Sequence, residues 1–178
     1  MTPGRLVRIT RTAGQICCAI LVGVALTVLV LELALRRLDG PAYVAVRHAE
    51  YDYFTWFIGA VSVPTIIALV TLVIVARKAR SPVLWPALVA LGLVLVAIVI
   101  TLIVNGPINV EQLRWNAEAP PPDWRHVRDR WQIAHAVRTL ALVLALACLT
   151  CPPRRAYAAP AGGQEVEGQE GRGGLPVE

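Results

Sequence analysis

The chain is constrained above all by long apolar runs that contain few or no charged residues. Residues 54–76 and 82–104 contain no Asp, Glu, Lys or Arg, and residues 16–35 contain only Glu32. Each run is long enough to cross a hydrocarbon core of about 30 Å as a helix. In that core every backbone polar group needs a partner within the protein, a condition that a helix meets. The sequence therefore predicts an all-α membrane protein.

A fourth membrane helix is predicted near the C-terminus, although its apolar run is short. Residues 139–149 are uncharged but cannot cross the membrane alone. The helix gains length if it begins after Pro120-Pro121-Pro122, where Asp123 can act as the N-cap. We therefore predict a four-transmembrane-helix bundle within residues 16–151, with helices at about residues 16–37, 54–76, 82–104 and 124–151.

The remaining segments are predicted to lie outside these helices. Residues 1–15 form a basic N-terminal segment, and residues 38–53 form a loop. Gly106 and Pro107 are expected to end or bend the third helix at the membrane surface. Residues 152–178 consist mainly of Gly, Pro, Ala, Gln and Glu, a composition that predicts a disordered C-terminal tail.

The cations of the chain indicate its orientation in the membrane rather than a nucleic-acid partner. The formal net charge is +5, but the arginines flank the apolar runs, where cations set topology and meet lipid phosphates. Three segments predicted to share one membrane face carry Arg5, Arg8, Arg11, Arg77, Lys78, Arg80, Arg154 and Arg155. The positive-inside rule predicts a multi-pass protein of the cell membrane with both termini in the cytoplasm. The expected partner is the lipid bilayer, with no nucleic acid.

No metal or other cofactor is predicted. His48, His126 and His135 have no carboxylate or thiolate at the spacing of a metal site. The cysteines form two close pairs, Cys17-Cys18 and Cys148-x-x-Cys151. The second pair has the spacing of a redox dithiol. The alternative is that these are small apolar residues at helix ends, free or acylated.

Polar residues inside the predicted spans indicate where a site could lie. Such residues are costly in a membrane and usually face the bundle interior. They fall toward the outer half of the predicted bundle: Glu32, Asn105, Asn109, Trp131, His135 and Arg138. Their positions predict a polar pocket in the outer half, covered by residues 105–131.

Three of these residues carry specific hypotheses. Glu32 is the only acidic residue in any predicted span, so an ion pair between Glu32 and Arg138 is expected, serving either structure or function. His135 is either a general base or a hydrogen-bonding strut.

The stretch from Asn105 to Arg138 carries a pattern that resembles a known family. An Asn-x-Pro-x-Asn element leads to a Trp, and a Pro-rich stretch with a second Trp precedes an Arg-rich helix. The positions that match are Asn105, Pro107, Asn109, Trp115, Trp124, Arg128, Trp131, His135 and Arg138. Residues 38–53, with Tyr43 and Arg47, are also similar. The pattern resembles the anthrone oxygenase-like family of small bacterial and fungal membrane proteins, over about residues 16–151.

This resemblance implies four helices and, in the few family members with a known activity, oxidation of a polyketide anthrone to a quinone without metal or flavin. On that basis His135 would remove the acidic methylene proton of a lipophilic aromatic substrate. Arg138 would stabilise the enolate together with the amides of Asn105 and Asn109. Trp115 or Trp131 would stack on the rings. Glu32 is expected in the same binding pocket from its position near the outer end of the first span.

A second reading of the same residues is a non-enzymatic membrane module, such as a subunit, scaffold or lipid-binding partner. In that case the polar cluster would be structural, and apolar or small-residue helix faces would carry association. Most members of the family have no assigned function, so the resemblance leaves both readings open.

Overall fold

Five α-helices and one π-helical segment make up the computed structural model, which describes residues 2–151. The helices are α1 (Pro3–Leu35), α2 (Gly40–Lys78), α3 (Leu84–Ile100), α4 (Gly106–Gln112) and α5 (Trp124–Thr150), with a π-helical segment (Thr101–Asn105) between α3 and α4. From α3 to α4 the chain runs as one element, Leu84–Gln112. This element, α1, α2 and α5 are each long and apolar enough to span a membrane.

The predicted fold class is thereby confirmed, because the described residues form an all-helical chain with four potential membrane spans. In this ring of helices, α1 packs against α2 and α5, and α3 packs against the same two helices. The predicted tail, residues 152–178, lies outside the described residues.

The two ends of the bundle differ in character. One end, called the polar end below, holds the connections of residues 36–39 and 113–123. The other, called the basic end, holds the start of α1, the connection of residues 79–83 and the end of α5. It carries Arg5, Arg8, Arg77, Lys78 and Arg80, all of them exposed.

The second helix begins well before its apolar run, so the loop expected at residues 38–53 is wrong. Asp39 is an N-cap whose Oδ1 accepts a hydrogen bond from the Ala42 N–H at 3.0 Å. Pro41 occupies the first turn, where its missing N–H removes no helical hydrogen bond. The helix from Gly40 therefore carries residues 40–53 against the polar end.

The third span also continues beyond its expected end. Pro107 cannot donate a backbone hydrogen bond, and its ring would clash with the carbonyl four residues earlier in an α-helix. A π-turn at Thr101–Asn105 absorbs this conflict, and the Gly106 N–H donates to the carbonyl of Thr101. The chain then continues as α4 to Gln112, which keeps Asn105 and Asn109 in the bundle.

Small side chains hold the helices together toward the basic end. On α3, Ala87, Ala90 and Val94 are fully buried and follow helical spacing. They belong to the same apolar cluster as Ala141 and Ala145 of α5. Small residues let helix backbones approach closely within a membrane. These small side chains therefore allow α3 and α5 to pack closely at this end.

Candidate functional site

Arg47 is the centre of a network of polar side chains at the polar end. Its Nη1 lies 3.0 Å from Glu32 Oε1 and 3.4 Å from Glu50 Oε2. Its Nε donates to Gln112 Oε1 at 3.0 Å, and its Nη2 donates to Asn109 Oδ1 at 2.9 Å. One guanidinium thus connects α1, α2 and α4 by charge-assisted hydrogen bonds.

The expected ion pair between Glu32 and Arg138 is wrong. Glu32 is 1% exposed, and its carboxylate bonds to Arg47 and to Gln132, whose Nε2 donates to Oε2 at 3.0 Å. Gln132 marks the level of Glu32 on α5, and Arg138 lies six residues further along, about 9 Å deeper. The early start of α2 brings Arg47 to the level of Glu32 instead.

Trp131 lies directly below Arg47 and contacts two members of this network. It is 3% exposed, and its Nε1 donates to Asn109 Oδ1 at 2.6 Å. The guanidinium of Arg47 lies 4.7 Å from the centroid of its ring, in the geometry of a cation–π contact. On the same helix the imidazole of His135 stacks parallel to the indole, with centroids 5.0 Å apart and planes 5° apart.

His135 is fully buried, and both of its ring nitrogens are engaged. Nε2 lies 2.9 Å from the carbonyl oxygen of Ala25, which can only accept, so Nε2 carries the proton. Nδ1 is left as an acceptor for Arg138, whose Nε and Nη2 lie at 3.0 Å and 2.6 Å. The neutral imidazole therefore holds the Arg138 guanidinium in place.

Arg138 has N–H donors that remain unpaired among the described residues. Besides its contacts with His135, its Nη1 donates to Thr101 Oγ1 at 2.8 Å, and Thr101 donates to the Ala97 carbonyl. Across residues 2–151 no carboxylate lies within ion-pair distance of Arg138. A guanidinium has five N–H donors, so about two remain for a ligand.

A cavity of about 840 Å³ opens beside these groups, between α1, α2, the π-segment, α4 and α5. Six of the seven residues predicted for the site line it: Glu32, Asn105, Asn109, Trp115, Trp131 and Arg138. His135 is not among the lining residues and contacts the site through Trp131 and Arg138. Much of the wall is apolar and includes Val28, Leu31, Phe54, Ile58, Leu102 and Val110.

Asn105 lies in the wall of this cavity and has an unpaired amide oxygen. The residue is 1% exposed, and its Nδ2 donates to the Trp131 carbonyl at 3.1 Å. Its Oδ1 is buried and accepts no hydrogen bond from any described residue. Because this oxygen has almost no accessible surface, the Asn105 amide serves to bond the π-segment to α5 through the Trp131 carbonyl.

Sequence reasoning missed several members of the site. In the sequence, Arg47 is marked as a site residue only by the family resemblance, and Glu50, Gln112 and Thr101 carry no such signal. The signal was present in the helical spacing i, i+4, i+7, i+11 of Tyr43, Arg47, Glu50 and Phe54, which follows an Asp-Gly-Pro helix start. The polar composition of this segment, read as a loop, concealed that pattern.

The remaining candidates give no further site. The cysteines are free thiols, with Cys18 buried and Cys151 exposed at the end of α5. Within residues 2–151 no three His, Cys, Asp or Glu side chains come together as a metal-binding group.

Comparison with known proteins supports the family resemblance. A family model described as anthrone oxygenase matches residues 53–148, which is more than half of the chain. No curated protein and no solved structure matches the chain. The matched range includes every predicted site residue except Glu32, and it begins just after Arg47 and Glu50.

Proposed function

The chain belongs to the anthrone oxygenase family, and on that premise we propose that its cavity binds a flat, lipophilic anthrone-type molecule and promotes its oxidation by O₂. The membrane-spanning helices place such a cavity beside the bilayer, where a lipophilic aromatic molecule concentrates. The bilayer is thus the source of the substrate as well as the solvent of the protein.

The proposal rests on one observation. An apolar cavity lies beside polar groups that are free to bind the oxygen atoms of an anthrone. The volume of about 840 Å³ lies within the usual range for small-molecule sites. Trp115 offers an aromatic face for stacking, whereas the ring of Trp131 is already covered by Arg47 and His135. Arg138 offers N–H donors that have no partner among the described residues, and a ring ketone would satisfy them.

The first chemical step is removal of a proton from the methylene carbon that lies between the two aromatic rings of an anthrone. The resulting negative charge is delocalised onto the ketone oxygen. The Arg138 guanidinium, held by His135 and Thr101, is positioned to stabilise that oxygen. Such preorganised donors act strongly in a site that excludes water.

Glu50 is the proton acceptor that we propose. Its carboxylate lines the cavity, and its contact with Arg47 at 3.4 Å is long. Glu32 is a poorer base, because its two oxygens already accept from Arg47 and Gln132. His135, the base expected from the sequence, is assigned a positioning role, because Nδ1 already accepts from Arg138.

The oxygen chemistry then balances without a further reactant. O₂ adds to the carbanion, which forms a C–O bond, and protonation gives a hydroperoxide. Loss of the second methylene proton and cleavage of the O–O bond give a second ring ketone and water. The carbon is oxidised by four electrons, and O₂ accepts them. One anthrone and one O₂ thus give one anthraquinone and one water.

Oxygen uptake by the purified protein in detergent micelles, offered unsubstituted anthrone, tests this function. Turnover above that of empty micelles is expected, and Glu50→Gln is expected to lower it about 100-fold, as for loss of a general base. Glu118→Gln is the matched control, since Glu118 is exposed and does not line the cavity. No uptake above empty micelles would refute the oxygenase and favour the non-enzymatic membrane module.

The role of His135 is separated from that of a base by two substitutions. His135→Asn keeps an acceptor for Arg138, so it is expected to retain most of the turnover that His135→Ala loses. Equal losses in both variants, with Glu50→Gln unaffected, would return the role of base to His135.

We also propose that the basic end faces the cytoplasm of the cell, which places the cavity in the outer half of the bundle. The exposed cations of the basic end support this orientation. Cys151 is exposed at that end, so an impermeant maleimide should label it only after the cells are permeabilised. A cysteine introduced by Glu118→Cys should be labelled in intact cells, and the reverse pattern would invert the topology.

A further inference from the structure

A second, smaller cavity lies deeper in the bundle than the site described above. Its volume is about 250 Å³, and it extends along α2 and α3 toward the middle of the membrane spans. Its lining is almost wholly apolar and includes Leu21, Ala25, Val63, Ile66, Ile98 and Leu142. This space, called the inner cavity below, is larger than an engineered apolar cavity of about 150 Å³ that binds benzene.

The inner cavity and the site cavity adjoin each other. Ile58, Thr101 and Arg138 line both spaces. The polar groups of the larger cavity lie on one side of Arg138, and hydrocarbon side chains lie on the other. A molecule that places an oxygen atom at the Arg138 guanidinium can therefore extend in both directions.

We propose that the inner cavity is a subsite for an aliphatic chain carried by the aromatic molecule whose rings occupy the site cavity. This inference rests on the proposed function and narrows its substrate class to anthrones, or their quinone products, that bear an alkyl substituent.

The chemistry of the lining selects such a chain. A polar substituent would lose its hydrogen bonds to water among these side chains, a loss that an aliphatic chain does not suffer. Ser62 is the one hydroxyl besides Thr101 in the wall, and Thr101 is already bonded to Ala97 and Arg138. The space is also much larger than one O₂ molecule requires, so a chain of several carbons fits it better than a gas.

Filling the inner cavity separates this subsite from the ring site. Ser62→Leu adds a branched side chain from α2, and Ala97→Leu adds the same side chain from α3; neither residue lines the site cavity. Two independent variants keep the test valid if one of them fails to fold. Thr71→Leu is the matched control, because Thr71 is exposed on α2 and lines neither cavity.

The measurement is the binding of two quinones, anthraquinone and 2-hexylanthraquinone, followed by quenching of tryptophan fluorescence in the same detergent. Quinones need no turnover, so binding is read without oxygenase activity. Each ligand partitions equally into micelles with wild type and with variant. The ratio of its two dissociation constants therefore does not depend on that partition. Overpacking by one side chain should weaken binding of the hexyl compound about 10-fold or more. Binding of anthraquinone should change less than about 2-fold, as should both affinities in Thr71→Leu.

Each result bears on the subsite and on the oxygenase separately. Equal weakening of both ligands, or none for the hexyl compound, would overturn the subsite while anthrone turnover still supported the oxygenase. An increased KM for O₂ in Ser62→Leu, with hexyl binding unchanged, would overturn the subsite in favour of a gas pocket. Selective loss of hexyl binding without any turnover would support the subsite and refute the oxygenase. Failure of wild type to bind either quinone would overturn the subsite.

Discussion

Replacement of Glu32 by glutamine is expected to destabilise this protein strongly, although it changes only one atom of a side chain that is far from solvent. The substitution removes the negative charge that faces Arg47 at 3.0 Å. The two side chains are 2% and 11% exposed, so water cannot replace the lost partner. The guanidinium would keep its hydrogen bonds to Gln112 and Asn109, but Glu50, at 3.4 Å, would be its one carboxylate partner among the described residues.

The magnitude follows from that geometry. Removing one member of a buried ion pair typically costs about 3–5 kcal/mol. Glutamine retains an oxygen that can accept one hydrogen bond, and Glu50 retains part of the charge compensation. We therefore expect the lower end of the range, about 3 kcal/mol in the free energy of unfolding.

The assay is unfolding in mixed micelles with increasing SDS, followed by far-UV circular dichroism. The control is Asp129→Asn, which removes the carboxylate that lies 3.2 Å from Arg36 and 3.0 Å from Arg128. Asp129 is 41% exposed, so water replaces much of what its charge supplies, and ion pairs at such exposed sites contribute about 0–1 kcal/mol. The buried pair should therefore matter at least three times as much as the exposed pair.

A loss below about 1 kcal/mol for Glu32→Gln, equal to that of Asp129→Asn, would refute the reasoning. It would mean that water or lipid headgroups reach Arg47 and screen its charge. The double variant Glu32→Gln/Arg47→Met completes the test, because it removes both charges. It should recover part of the loss, as replacement of a whole buried pair by apolar groups is often nearly neutral.

Three smaller changes test the packing around the site by the same unfolding assay. Gly40→Ala should destabilise by about 1–3 kcal/mol, because its Cβ would lie 2.7 Å from Pro120 Cγ. Gly23→Ala, which meets nothing within 4 Å, should instead stabilise α1 by up to about 1 kcal/mol. Trp131→Phe removes the hydrogen bond to Asn109 at 2.6 Å and should cost about 1 kcal/mol. The reverse order of the two glycine variants would contradict the packing argument, and an unchanged stability of Trp131→Phe would mean that this hydrogen bond contributes nothing net.

Much of the candidate site could be predicted because its residues stand out against an apolar background. Glu32, Asn105, Asn109 and Arg138 are polar residues in or beside long uncharged runs, and all four line the cavity. The residue that joins most of the network, Arg47, could not be found in the same way. It lies in a polar segment outside the apolar run of α2. A charged residue is common in such a segment, so it does not indicate a site.

The ion-pair partner of Glu32 is a second feature that the sequence alone could not predict. The apolar surroundings of Glu32 indicate that it needs a cation, but several arginines lie near the polar end at different depths. The pair with Arg47 depends on the start of α2 at Gly40 and on the level at which α1 faces α5. Caps and turn residues set how far a helix extends beyond the membrane. The depth at which its side chains meet those of other helices is known only from the assembled bundle.

The sequence by itself determined the four membrane spans and the identity of the polar residues placed among them. Hydrophobicity is a property of each residue and of its neighbours along the chain, so it can be read locally. The tertiary structure alone decided which groups meet: Arg47 with Glu32, His135 with Arg138, and Trp131 beneath the guanidinium of Arg47. Those contacts join residues of different helices or different turns, and they depend on the depth and rotation of each helix, which packing sets.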